Sequence, residues 1–332
     1  MKRPWLAPLV PLYAAGVALR ETRLRNGWER VRRLGRPVVS IGNLSAGGAG
    51  KTPLTIALAR LLAGRGLHVD VLSRGYGRTS RTAARVRPDG DAKEFGDEPL
   101  LIAQETGVPV YVAPQRYEAG VLAEAAQTDA EIRAVHLLDD GFQHRQLARD
   151  VDILLLNRAD WRDSLLPAGN LREPLAAARR ATVIAIPADE LELEAGLRVW
   201  GWQGPIWRLH RRMEVPDTGG PVAAFCGIAR PEQFFAGLEA AGLHLAARIA
   251  FADHHRYAAA DVERIATTAR KTGAEALMTT EKDRVRLGDV AAGFPDSLPL
   301  KTARLHVEIE NESAALGWLV ERLARGPHDP AL

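Results

Sequence analysis

The chain has 332 residues, 46% hydrophobic and 26% charged, which suits a soluble α/β protein with two buried cores and excludes a disordered or fibrous chain. Its single cysteine, Cys226, excludes an intrachain disulfide. Residues 1–36 carry nine basic and two acidic side chains, a net of +7 within a total of +3; the remaining body is net −4, which argues against nucleic-acid binding and for an anionic partner at the N-terminus alone.

Residues 5–19 contain no charge and include Pro8 and Pro11. The run is shorter than the roughly 20 residues that a spanning helix needs. No small-residue cleavage site precedes the basic cluster, as a secretory signal would require. The segment 1–36 therefore reads as a basic amphipathic anchor in the membrane interface, with Trp5 and Tyr13 at headgroup level and the arginines toward anionic lipid. The alternative is a helix packed on the protein's own core.

An apolar β-branched strand over 38–41 runs into Gly42-Asn43-Leu44-Ser45-Ala46-Gly47-Gly48-Ala49-Gly50-Lys51-Thr52-Pro53, and a helix over 54–62 follows. Strand, glycine-rich loop, Lys-Thr and helix form the context of a phosphate-binding loop. Ser45, Ala46, Gly47, Gly48, Ala49 and Gly50 would wrap backbone amides around phosphate oxygens. The helix N-terminus adds a favourable field for the anion. Lys51 would reach the β- and γ-phosphates, and the Thr52 hydroxyl would hold Mg²⁺. Ser45 stands where the strict pattern has glycine.

A strand over 67–72 leads into Ser73-Arg74-Gly75-Tyr76-Gly77-Arg78, a loop that suits an anionic or sugar ligand as well as a solvated turn. Residues 79–96 lack periodicity and read as a long loop or small hairpin. Asp97, Glu98 and Pro99 open the next helix. Asp97 fits an N-cap, and the Asp97-Glu98 pair fits a base or metal-organising site equally well. A strand over 108–113 precedes a helix opened by Arg116.

The strand over 134–139 ends in Asp139-Asp140-Gly141, the position from which a carboxylate holds Mg²⁺ beside a phosphate loop. Asp139 is the first choice and Asp140 the second. Gln143 and His144 follow at once. A strand over 151–156 ends in Asn157-Arg158-Ala159-Asp160, which resembles the guanine-reading tetrad of GTPases with Arg for Lys. That keeps a GTP-binding regulatory or metallochaperone-type protein as the alternative. A turn-rich loop containing Arg172 and a strand over 182–186 complete a mostly parallel sheet with helices on both faces.

Residues 188–221 gather Trp200, Trp202 and Trp207 with several prolines and glycines, and the domain boundary is expected at 212/213. Domains are thus read as 1–36, 37–212 and 213–332. The last is a smaller α/β domain of strands over 222–229, 244–251, 276–280 and 305–309, with helices over 231–241, 260–271 and 313–323. Asp253-His254-His255 suggests zinc weakly, because adjacent histidines rarely ligate one ion. A histidine there that tunes a carboxylate across the cleft is the sharper reading.

In order and together, the loop over 42–53, Ser73-Arg74-Gly75-Tyr76-Gly77, Gly96-Asp97-Glu98-Pro99, Asp139-Asp140-Gly141-Phe142-Gln143-His144, Leu171-Arg172-Glu173-Pro174, Phe251-Ala252-Asp253-His254-His255 and Thr280-Glu281-Lys282-Asp283 resemble the tetraacyldisaccharide 4'-kinase family of lipid A biosynthesis. The family's loop is itself similar at Ser45. The resemblance implies an ATP- and Mg²⁺-dependent kinase, peripheral on the cytoplasmic face of the bacterial inner membrane. Its acceptor would be the 4'-hydroxyl of an acylated glucosamine disaccharide 1-phosphate, and its product lipid IVA. It implies Asp97 as catalytic base with His254 in support, His255 remaining open. Lys51 would act on the phosphates; Thr52, Asp139, Asp140 and Glu98 would organise metal. Arg74, Tyr76, Arg116, Gln143, His144 and Arg172 would meet substrate. No nucleic acid and no obligate protein partner are implied.

Overall fold

A computed structural model describes residues 3–47, 50–127 and 133–325; Gly48 and Ala49 of the expected phosphate loop lie outside the described residues. A short 3-10 turn leads into α1 (Val10–Arg25). The first half then runs β1 (Val38–Asn43), α2 (Lys51–Gly64), β2 (His68–Ser73), β3 (Ala84–Arg85), α3 (Ala92–Phe95), α4 (Asp97–Thr106), β4 (Val110–Val112), α5 (Arg116–Ala126), β5 (Ala134–Asp139), β6 (Val151–Leu155), α6 (Arg158–Trp161), β7 (Val183–Pro187) and α7 (Leu191–Val199). The second half contains β8 (Ile206–Glu214), β9 (Val222–Cys226), α8 (Pro231–Ala240), β10 (Leu245–Ala250), α9 (Ala259–Lys271), β11 (Ala276–Thr280), α10 (Glu281–Leu287), β12 (Leu300–Ile309) and α11 (Glu312–Ala324).

All twelve strands form one sheet in the order β10-β9-β11-β12-β8-β7-β6-β1-β5-β2-β4-β3. β1 lies between β5 and β6, parallel to both, with Ile41 beside Asp139 and Val39 beside Val151. Every residue of β1 and β6 is buried, as expected for strands covered on both faces by helices. Because the chain leaves β1 toward β2 on one side and later returns through β6 on the other, a ligand crevice opens beyond the carboxyl end of β1. The register puts the phosphate loop and Asp139 side by side at that crevice.

The expected boundary at 212/213 falls inside β8, which continues the sheet rather than linking two sheets. β8 is parallel to β7 and antiparallel to β12, with Leu209 beside Ile309. Its first half is anchored in the core by Trp207 and Leu209, while His210, Arg211 and Arg212 are exposed. The stretch over 79–96 contains the two-residue β3, paired with β4, and the single-turn α3.

α1 buries none of its residues. It meets the body through polar contacts: the Tyr13 hydroxyl donates to the Arg172 carbonyl at 3.0 Å, Arg20 donates to the Gln143 carbonyl at 2.8 Å, and Glu21 pairs with Arg145. Trp5 and Leu12 remain about three-quarters exposed, at 76% and 74%. The segment is helical as expected, and it is not a core helix. No described helix is long and apolar enough to cross a membrane.

The crossing of β1 under the loop after β5 requires glycine at 42. A Cβ there would stand 2.6 Å from Phe142 Cβ and 2.7 Å from the Phe142 amide nitrogen, and Phe142 is itself fully buried. Gly42→Ala is expected to lower stability by about 1–3 kcal/mol, the usual range for overpacking. Urea unfolding checks this; an unchanged midpoint would contradict the contact.

Candidate active site

The phosphate loop is braced on both sides. Gly50 precedes α2 in the left-handed region at φ +88°, where a side chain would be strained. Lys51 Nζ donates to Asn43 Oδ1 at 2.9 Å and lies 3.4 Å from Asp140 Oδ1. Asn43 Nδ2 donates to Ser45 Oγ at 3.0 Å, and the Ala46 amide donates to the Asn170 carbonyl at 2.8 Å. Ser45 and Thr52 are both buried. The fold therefore brings together Ser45, Ala46, Gly47, Gly50, Lys51 and Thr52.

Two adjacent carboxylates, Asp139 at the end of β5 and Asp140 just after it, differ sharply. Asp139 accepts from the Thr55 hydroxyl at 3.3 Å, one turn along α2 from Thr52. Burial, then the charges of Glu98 and Asp140, push its carboxyl up to about 7. Asp140 adopts φ +47° and receives a two-pronged bond from Arg172, at 2.9 and 3.1 Å. Burial pushes Asp140 up, but Lys51 and Arg172 outweigh it and hold the carboxyl well below the usual range. Glu98 is paired with Lys282, whose charge lowers the Glu98 carboxyl against its burial.

Asp139, Glu98 and the Thr52 hydroxyl offer oxygen donors only, and the two carboxylates carry negative charge that a cation would offset. Both features fit Mg²⁺. Among the described residues no group of three or more His, Cys, Asp or Glu side chains forms a metal centre. Magnesium is commonly shared between one or two carboxylates and the nucleotide phosphates, so the donor set fits. The adjacent histidines do not share an ion: they turn to different partners.

Asp97 is the first residue of α4, and Gly96 takes the N-cap position without a side-chain bond. The Asp97 carboxylate is therefore available to the second half of the chain. Its Oδ2 lies 3.1 Å from His254 Nδ1 and 2.6 Å from Arg286 Nε. Burial pushes the Asp97 carboxyl up, but the His254 hydrogen bond and the Arg286 charge outweigh it and hold the group below the usual range. The same hydrogen bond raises His254, against its burial. His254 adopts φ +58°, a conformation that non-glycine residues hold only when their surroundings impose it. His255 instead pairs with Asp261 at 3.0 Å and stacks on Phe251. The exposed Tyr76 ring lies 5.2 Å from the His254 ring.

A basic bay adjoins the acidic cluster. Arg116 is buried, with a donation to the Asp140 carbonyl at 3.3 Å and an Nε that no described residue partners. Burial lowers Arg116 to about 10. His144 is pushed down to about 3 by burial and by Arg116, Arg149, Arg20 and Arg74, so it is neutral. Gln143 Nε2 donates to the Asn43 carbonyl at 2.9 Å. Arg74 stands exposed at the rim. Asn157 Oδ1 accepts from the Asp160 amide at 2.9 Å and so caps α6, while buried Asp160 leans on Ser45. The guanine-like tetrad is thus used as a cap and a brace.

A family model described as tetraacyldisaccharide-1-P 4'-kinase matches residues 2–324. The chain belongs to this family. A tetraacyldisaccharide 4'-kinase of Koribacter versatilis (strain Ellin345) is 42% identical over 329 residues, covering 96% of this chain and 98% of the relative. One from Anaeromyxobacter dehalogenans (strain 2CP-C) is 40% identical over 325 residues, covering 90% and 84%. A crystal structure of LpxK from Aquifex aeolicus in complex with ATP superposes with a TM-score of 0.74 at 32% identity, covering 96% of this chain and 98% of that one. Membership favours the kinase over the GTP-binding alternative.

Within this 4'-kinase, sequence reasoning missed Asn43, Lys282 and Arg286. Asn43 ties Lys51, Ser45 and Arg172 together. Lys282 and Arg286 are one turn apart on α10 and meet Glu98 and Asp97, which are adjacent on α4. The signal was the spacing of two cations four residues apart just after the Thr280-Glu281 turn.

The raised His254 value has a sign that can be checked. Its bond to Asp97 contributes stability that is fully present below the unfolded value of about 6.5 and is lost as pH rises through the higher folded value. The melting-temperature gap between wild type and His254→Gln, without ligands, is expected to be widest near pH ~6 and to shrink toward pH ~9. A gap that does not change with pH would contradict the pairing.

Proposed function

We propose that the chain moves the γ-phosphate of ATP to the 4'-hydroxyl of a tetraacylated glucosamine disaccharide 1-phosphate, forming lipid IVA, at the cytoplasmic face of the bacterial inner membrane. Family membership makes it a 4'-kinase, and the Aquifex aeolicus structure is an ATP complex. The observation that carries the mechanistic reading is the convergence of Lys51, Asp139 and the Asp97–His254 pair on one crevice. Glu98, next to Asp97, is close enough for its charge to act on Asp139 and to feel Lys51.

Lys51 and the loop amides hold the β- and γ-phosphates. Thr52 and Asp139, with Asp140 and Glu98 alongside, would hold Mg²⁺, which supplies charge neutralisation when bound. Asp97 accepts the proton of the sugar hydroxyl, and His254 orients Asp97. A carboxylate held below its usual range is a weak base. Phosphoryl transfer tolerates that, because its loose transition state depends on positioning and charge stabilisation more than on deprotonation. Arg74, Tyr76, Arg116, Gln143, His144 and Arg172 line the acceptor side, where the basic bay suits the 1-phosphate. The strands up to β7 carry the nucleotide half and those from β9 the half that faces it across the crevice, with β8 joining them in one sheet.

The acylated acceptor stays in the bilayer, so the enzyme must reach an anionic membrane surface. Exposed Trp5, Leu9 and Leu12 near the arginines of α1 suit that contact. Their polar anchoring to Arg172 and Gln143 would set the membrane beside the acceptor bay.

The test is incubation with γ-labelled ATP, Mg²⁺ and the acylated disaccharide 1-phosphate, in detergent and in anionic vesicles. Label is expected on the glycolipid; label found only as inorganic phosphate would overturn the function. A Trp5→Ser, Leu9→Ser, Leu12→Ser variant should keep its detergent rate within about twofold and lose about tenfold or more on vesicles. Equal rates in both would remove the membrane role.

A further inference from the structure

α10 is seven residues long, and three of its side chains are committed to different tasks. Asp283 is fully buried and ties the second half together: it accepts from the Gly227 amide at 3.1 Å, from the Tyr257 hydroxyl at 3.1 Å and from Arg286 at 3.1 Å. Arg286 is nearly as enclosed, its side chain 6% exposed. Its NH1 donates to the Gly227 carbonyl at 2.5 Å, and its Nε and NH2 edge reaches Asp97 Oδ2 at 2.6 and 2.5 Å. The guanidinium thus spans two elements at once. One side is bolted to the loop after β9, which also accepts the His254 amide at 3.0 Å through Gly227. The other side grips the carboxylate at the start of α4.

Both donors, His254 and Arg286, fall on the same oxygen of Asp97. Oδ1 accepts from none of the described residues, so it is the oxygen left for a substrate hydroxyl. We propose that Arg286 is a positioning residue for the transfer step, fixing Asp97 through Oδ2 and, through Gly227, fixing the height of His254 beside it. The proposal rests on Asp97 being the proton-accepting carboxylate. Arginine suits the task because its planar fork satisfies a backbone carbonyl and a carboxylate simultaneously, whereas a lysine offers one point of charge. The nearby Lys282–Glu98 pair holds the neighbouring carboxylate from the same helix face, so α10 and α4 are registered at two points.

A double-mutant cycle over Arg286→Gln and Asp97→Asn tests this, read as kcat, KM for ATP and melting temperature. Arg286→Gln alone is expected to lower kcat by about tenfold to a hundredfold with KM for ATP within about twofold. Arg286→Lys should recover part of that loss, keeping the charge but not both contacts. In the Asp97→Asn background Arg286→Gln should cost less than about twofold further, since its target is already gone. An equal loss in both backgrounds would overturn the proposal, leaving Arg286 as general scaffold and the role of Asp97 intact. Near wild-type turnover by Asp97→Asn would instead remove Asp97 from the chemistry, and Arg286 with it. If Arg286→Gln does not fold, Arg286→Lys in the same cycle decides between the same outcomes.

Discussion

A buried carboxylate without a partner would destabilise the protein or lose its charge, and Asp97 is buried at the start of α4. Its partners lie 157 and 189 residues further along, on His254 and Arg286. The first half of the sheet can place Asp97 at the mouth of the crevice, yet only the second half can keep it ionised there. That single requirement links the fold to the chemistry. It explains why the loop after β10 holds a histidine at positive φ, and why Asp283 is fully buried beneath Arg286. Removing one member of such a pair leaves a charge stranded, so the halves are coupled through the site itself.

Around that point the electrostatics separate into two zones. Asp139, Glu98 and Asp140 form an acidic cluster beside the phosphate loop, where burial, then the charges of Glu98 and Asp140, raise the Asp139 carboxyl. On the adjoining side burial, then the charges of Arg116, Arg149, Arg20 and Arg74, keep His144 neutral. Arg172 sits on the border, bonded to Asp140 and Asn43. A magnesium nucleotide suits the first zone, and an anionic sugar the second. The border is where a phosphoryl group would cross.

Much of the first half was legible in the sequence because parallel strands covered on both faces leave continuous apolar runs, as in β1 and β6. The glycine-rich loop, Lys51, Thr52 and Asp139 follow from short-range context. Asp97 was legible only as one of two readings, since capping and catalysis both favour an acid at a helix start; Gly96 at φ +93° takes the cap position, which leaves the Asp97 carboxylate free of that task. The boundary at 212/213 came from composition, and β8 runs straight through it. The spacing of Lys282 and Arg286 was visible, but not the partner of Arg286, because that contact lies 189 residues away and α10 is too short to show periodicity. Of the second-half histidines the sequence favoured His254 and left His255 open; what separates them is the backbone conformation at His254 and the partner each ring meets.

The central claim is that one ionised carboxylate, held in place from across the sheet, makes the transfer step possible. Rapid-quench measurement of a single turnover, with Mg²⁺ and ATP already bound and acceptor lipid added in excess, isolates that step. Asp97→Asn is expected to slow label transfer to the glycolipid by about a hundredfold or more, with nucleotide occupancy unchanged. Transfer by Asp97→Asn at the wild-type rate, with the same occupancy, would contradict the account.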